Sequence, residues 1–174
     1  VTDWFENDAL FCQECKKGHF WERYVAFFFA GQGLKVELGP QQIRENVAQA
    51  AAYVQEVDLF IEGHPVEVKS RAVTFHTRND FPYPDIMVDT VKGWDAKEPK
   101  PTWVICVSQV TGAIITLVGL DKETWTAREV DDQTRKIRDT FYFAEKGYWY
   151  PVETCVSWFR QHRAAKAPLL GRDI

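Results

Sequence analysis

Apolar residues crowd the segment from Lys17 to Ala30, where Phe20, Trp21, Tyr24, Val25, Phe27 and Phe28 recur at helical spacing. Gly31 and Gly33 supply the stop. A helix this apolar predicts burial on most sides, with Glu22 as its polar interruption. Upstream, Trp4, Phe5, Leu10 and Phe11 predict a cover for one edge of the core. Leu34 to Leu38 alternates like a strand, Gly39-Pro40 breaks it, and the Ala-rich stretch Gln42 to Tyr53 predicts a short helix. Val57 to Ile61 and Pro65 to Lys69 read as two strands around a Gly-containing turn.

Residues 70–101 mix Pro82, Pro84, Pro99 and Pro101 with Phe81, Tyr83 and Trp94. They predict a long excursion with one short strand or helix at Ile86 to Val91. Its aromatics are expected to pack on the core, the alternative being stacking on bases. Thr102 to Ser108 is a buried strand by composition, and a Thr111-Gly112 turn leads to its hairpin partner at Ala113 to Val118. Between 121 and 150, Thr140 to Phe143 and Tyr148 to Tyr150 suggest short aromatic strands. Pro151 starts a helix through about Ala165, with Val152, Cys155, Val156 and Phe159 on one face. The order predicts an α+β fold, a central mixed sheet of four to six strands flanked by helices, in a single domain over 1–174.

Composition agrees with one well-packed domain: 174 residues, 45% hydrophobic and 14% aromatic. No apolar run approaches the length of a bilayer span, and Val1 to Glu6 lack the basic start and apolar run of a secretory signal. The expectation is a cytoplasmic protein without membrane contact. A net charge of −4 argues mildly against a general nucleic-acid binder. It leaves room for a nuclease, because a carboxylate-rich centre attracts phosphate once it holds Mg²⁺. Two local basic clusters could supply backbone contacts: Arg135-Lys136-Ile137-Arg138, and a tail carrying Arg160, Arg163, Lys166 and Arg172. A solvated charge run is the plainer reading of each.

Cys12 and Cys15 followed by His19 have ligand-like spacing for zinc. No second Cys pair follows, so Cys155 or His162 would have to complete the set. Ordinary reduced thiols are the expectation.

The chemistry concentrates in Val57 to Lys69. Side chains two apart on a strand share a face, so Glu67 and Lys69 point the same way. If Gly63-His64 form the loop, Glu62 pairs with Pro65, Phe60 faces Glu67 and Asp58 faces Lys69. Two carboxylates and an ammonium then converge on one side of a sheet. Such charges among valines and isoleucines are expensive to bury without a partner or a job.

These residues resemble the core of the PD-(D/E)XK nuclease superfamily, with an acidic residue, a variable gap, then Asp/Glu-x-Lys on the adjacent strand. The resemblance covers roughly residues 16–120. It implies a restriction-endonuclease-like core and metal-dependent DNA hydrolysis, by an endonuclease rather than an exonuclease. It further implies Mg²⁺ or Mn²⁺ held by Asp58, Glu67 and the backbone carbonyl of Val68. Lys69, with its proton affinity lowered by the metal, would orient or deprotonate a water. Glu22 matches a helix carboxylate that often precedes the first strand of such cores; the alternative is a rim carboxylate paired with Arg23 or Lys17. The residue before Asp58 is Val57 where the family often has Pro.

A literal match also exists at Pro84-Asp85 with Asp95-Ala96-Lys97, but Lys92 to Pro99 has too few β-formers for a buried strand. DNA contacts would fall to Arg135, Lys136, Arg138, Arg160 and Arg163, and a homodimer is plausible for a duplex cutter. Two other classes remain: a non-catalytic nuclease-like module that binds nucleic acid or protein, and an unrelated α+β protein.

Overall fold

The computed structural model describes residues 3–43, 56–132 and 137–163. Among these residues the fold is α+β, with two sheets and three α-helices. Helix α1 (Asp3–Gly31) leads into strands β1 (Val36–Leu38), β2 (Leu59–Ile61) and β3 (His64–Arg71). Strand β4 (Asp85–Thr90) and the short helix α2 (Val91–Ala96) follow, then β5 (Trp103–Ser108) and β6 (Ile114–Val118). The last described elements are β7 (Thr126–Asp132), β8 (Ile137–Glu145), β9 (Tyr150–Pro151) and helix α3 (Val152–Gln161).

Six strands form the central sheet in the order β1-β2-β3-β5-β6-β9. Every neighbouring pair is antiparallel except β3 and β5, which run parallel. A parallel pair needs a crossover, and residues 72–102 provide it, carrying β4 and α2 on the way. Strand β4 pairs with β8, and β8 with β7, in a second sheet.

Burial follows from the strand period of two. Leu59, Ile61, Val66, Val68, Trp103, Ile105 and Val107 turn to one face and pack with Val25 and Phe29 of α1 and Phe159 of α3. Val104, Cys106, Ile115 and Leu117 turn to the other, against Ile86, Val88 and Ala144 of the second sheet and Trp94 of α2. Strand β5 is buried on both faces, which is why its run is continuously apolar.

Several expectations change. The helix predicted over 17–30 begins at Asp3, absorbing the segment read as an edge cover. It ends as predicted: Gly33 has φ +77°, and the amides of Gly33 and Leu34 donate to the carbonyls of Ala30 and Phe29. Its burial is one-sided, however, with Phe27 79% and Phe20 60% exposed. One sheet offers only one stripe for the helix to cover, so the remaining aromatics face outward. The hairpin loop is Glu62-Gly63 and not Gly63-His64; both residues have positive φ, which fits a two-residue turn matching the strand twist.

The 70–101 excursion carries both β4 and α2 where one element was expected, and β7 was not expected. Phe81 packs inward at 4% exposed, while Tyr83 stays outside. Tyr148 closes a single 3-10 turn, and β9 begins only at Tyr150. Helix α3 ends at Gln161, short of Ala165. The helix expected over Gln42 to Tyr53 lies mostly outside the described residues.

Candidate functional site

Strand β3 delivers Glu67 and Lys69 to the face that looks at the second sheet, opposite the face where Val66 and Val68 meet α1. Pairing of Leu59 with Val66 continues one step to set Asp58 level with Glu67. The sequence expectation places Asp58 opposite Lys69, two residues too far along β3, because a loop at Gly63-His64 sets the turn one residue late. Parity survives the slip: a shift of the whole turn keeps Asp58, Glu67 and Lys69 on one face.

Asp58 is anchored at the mouth of the hairpin. Its carbonyl accepts from the Gly39 amide at 2.8 Å, and its Oδ2 accepts from the Val68 amide at 2.8 Å. Along β3 the carbonyls of Pro65 and Arg71 point to the β5 side, accepting from Thr102 and Gln109. Alternation therefore sends the Val68 carbonyl to the other edge, beside Asp58.

Glu67 is 2% exposed and touches two lysines: Lys69 Nζ at 2.6 Å from Oε1, and Lys97 Nζ at 2.9 Å from Oε2. The second contact is ionic without hydrogen-bond alignment, so Oε2 has no hydrogen-bond donor. Asp89 closes the ring, its Oδ2 lying 3.2 Å from Lys69 and 3.9 Å from Lys97. Glu22 comes from α1, held by Gln41 Nε2 at 2.5 Å, and interacts electrostatically with Glu67 and Lys69.

Four carboxylates thus surround two ammonium groups, and the proton affinities reflect that excess of negative charge. Burial, then the charges of Glu67 and Glu22, push Asp58 well above the usual carboxylate range. Burial raises Glu22 as well, against the hydrogen bond from Gln41. Asp89 is also buried, yet the two lysines outweigh that and hold it low. For Lys69, burial pulls down while Asp89, Glu67 and Asp58 pull up, and the carboxylates win. Among these side chains alone its proton affinity is raised, opposite to the lowering expected beside a metal.

Asp89, Lys97 and Gln41 were not foreseen as partners. Strict alternation along β4 would put Asp89 with Asp85 and Met87. A bulge between Met87 and Asp89 pairs Asp89 with Tyr142 and re-aims it toward the central sheet. Lys97 was visible only as the end of the second literal motif. That motif is dispersed: Asp85 pairs with Arg128 at 2.8 Å and Asp95 with Lys122 at 2.5 Å, while Lys97 turns to Glu67.

The other candidates are scattered. Arg138 makes exposed pairs with Glu129 and Asp131 on the β7-β8 hairpin, and Arg135 and Lys136 lie outside the described residues. Arg160 donates to the Gln32 carbonyl, and Arg163 faces Glu62 at 3.6 Å, at the end of the hairpin away from Asp58. Cys12, Cys15 and His19 share α1, but Cys155 is buried in the core and His162 stacks on Trp158.

A hard divalent ion suits the donors. Asp58, Glu67 and Glu22 offer carboxylate oxygens, Oε2 of Glu67 has only the poorly aligned Lys97 ammonium beside it, and one dication balances the surplus charge. Among the described residues no group of three or more His, Cys, Asp and Glu is already arranged as a ligand set. Asp58 is committed to the Val68 amide and Glu67 to two lysines. No helix among the described residues is long and apolar enough to cross a membrane. No family model, curated protein or solved structure matches the chain.

Proposed function

We propose that the chain is a metal-dependent deoxyribonuclease of the PD-(D/E)XK type, acting as an endonuclease with Mg²⁺ or Mn²⁺. The observation that carries the reading is the meeting of Asp58, Glu67 and Lys69 on one sheet face, with Glu22 arriving from the preceding helix. The order helix, three-strand meander, crossover and parallel strand fits the same reading.

Asp58, Glu67 and the Val68 carbonyl would hold the ion. When bound, it neutralises phosphate charge and makes water a better nucleophile. Lys69 orients the attacking water or a phosphate oxygen, held in place by Glu67 and Asp89. Glu22, fixed by Gln41, adds a third carboxylate at the rim, which would accept a hydrogen bond from metal-bound water. Basic side chains, Arg138, Arg160 and Arg163 with Arg135 and Lys136, would steer the phosphate backbone. A cytoplasmic location and a homodimer go with this reading, since a duplex cutter needs two centres or two successive nicks.

A second reading, a nuclease-like module without catalysis, rests on the closed ring Glu67-Lys69-Asp89-Lys97. There each charge already has an opposite partner. Incubation with plasmid DNA and Mg²⁺, beside Lys69→Ala, separates the two: cleavage lost in the variant supports the enzyme, and binding without cleavage in both supports the module.

A further inference from the structure

Lys97 lies outside the Asp58/Glu67/Lys69 trio, yet it touches the most buried carboxylate of the site. It closes the C-terminal end of α2, its amide donating to the Trp94 carbonyl at 3.2 Å. Trp94 is 1% exposed and fixes that turn in the core. The backbone is therefore anchored, while a four-carbon stem carries the ammonium to Glu67. The side chain of Lys97 is only 8% exposed.

We infer that Lys97 is a positioning residue of this site: an internal cation that holds Glu67 in place and gives up Oε2 when a divalent ion binds. The inference rests on reading Asp58 and Glu67 as metal ligands. Three observations carry it. The two oxygens of Glu67 are divided, Oε1 to Lys69 and Oε2 to Lys97. The Lys97 contact is the longer of the two, 2.9 Å against 2.6 Å, and the one without hydrogen-bond alignment, which makes it the easier to exchange. Asp89, 3.9 Å from Lys97 and already bonded to the Thr90 amide, is near enough to receive the displaced ammonium.

Without any cation at Oε2, a carboxylate this buried would carry an uncompensated charge. With a dication there, the Lys97 ammonium becomes a like charge beside it and moves away. Lys69, bonded to both Glu67 and Asp89, stays.

Calorimetric titration with Mn²⁺ alone, on the whole chain and on Lys97→Met, tests this. Removing the competing ammonium should tighten Mn²⁺ binding by about tenfold, while lowering the urea midpoint of the metal-free protein. Should Lys97→Met fail to fold, the wild-type chain supplies the answer through amine acylation read by mass spectrometry. Lys97 should be protected without metal and become labelled several-fold faster at saturating Mn²⁺. Equal or weaker Mn²⁺ binding by Lys97→Met, or Lys97 labelling unchanged by Mn²⁺, overturns the inference and leaves the nuclease reading standing. Absence of Mn²⁺ binding by the wild type overturns both.

Discussion

The Val68 amide donates to Asp58 Oδ2 at 2.8 Å, so a carboxylate occupies the place where β2 would otherwise continue its ladder with β3. That single bond holds Asp58 level with Glu67, whose charge adds to burial in making Asp58 costly to ionise. Burial and the Glu67 charge lift the Asp58 pKa in the folded chain. Stability from this group is complete below the ordinary carboxyl pKa of about 4 and is lost as pH climbs through the raised folded value. Asp58→Asn keeps an acceptor for the Val68 amide and removes the charge. In chelator it should gain about 1 kcal/mol or more at pH 8 and little at pH 4. Urea unfolding at the two pH values checks the sign; a loss at pH 8 would contradict it.

Asp89 should behave in the opposite way. Its pKa is held low: burial acts against this, and Lys69 and Lys97 prevail. Its contribution is present above about pH 4 and disappears as pH falls through the depressed folded value. Asp89→Asn should lose about 2–4 kcal/mol at pH 7, with the deficit shrinking in acid. A neutral result at pH 7 would mean that the bulge does not serve the ion ring.

Gly93 stands where a Cβ would lie 2.6 Å from Thr90 Oγ1 and 3.4 Å from Asp89 Oδ1. Thr90 caps α2 by accepting from the Gly93 amide at 2.9 Å. Gly93→Ala should therefore cost about 1–2 kcal/mol through the lost cap. It should also displace Asp89, weakening metal-dependent activity more than Ala at the exposed Gly147 would. Equal melting temperatures for wild type and Gly93→Ala would refute this.

The aromatics of the excursion separate into two kinds. Phe81 is 4% exposed and packs against Phe75 at 5.3 Å between ring centroids. Phe81→Ala should destabilise by about 3–4 kcal/mol. Tyr83 is 58% exposed, and its removal should leave stability within about 0.5 kcal/mol. An altered preference among linear, branched and single-stranded DNA in Tyr83→Ala alone would place substrate reading on this segment.

Much of the site could be read from Val57 to Lys69, because a period of two assigns faces even when the turn is misplaced. Faces are insensitive to a shift of the whole turn, so Asp58, Glu67 and Lys69 were grouped correctly while their register was not. Asp89 was beyond reach for a physical reason: a bulge adds a residue to β4 and reverses the alternation there. Lys97 reaches Glu67 from a helix end some thirty residues away along the chain, a contact set by tertiary packing. The exposure of Phe20 and Phe27 was missed because apolar content alone does not tell how many faces of a helix find a neighbour.

Cleavage itself is the most direct test of the central claim. Supercoiled plasmid should be nicked or cut by the wild type in Mg²⁺ or Mn²⁺, and left intact in chelator or in Ca²⁺, whose looser coordination supports binding without chemistry. Lys69→Ala and Glu67→Gln, confirmed as folded, should each lose at least about a hundredfold in rate. Cutting by both variants at the wild-type rate, or no cutting by the wild type in either metal, would contradict the account.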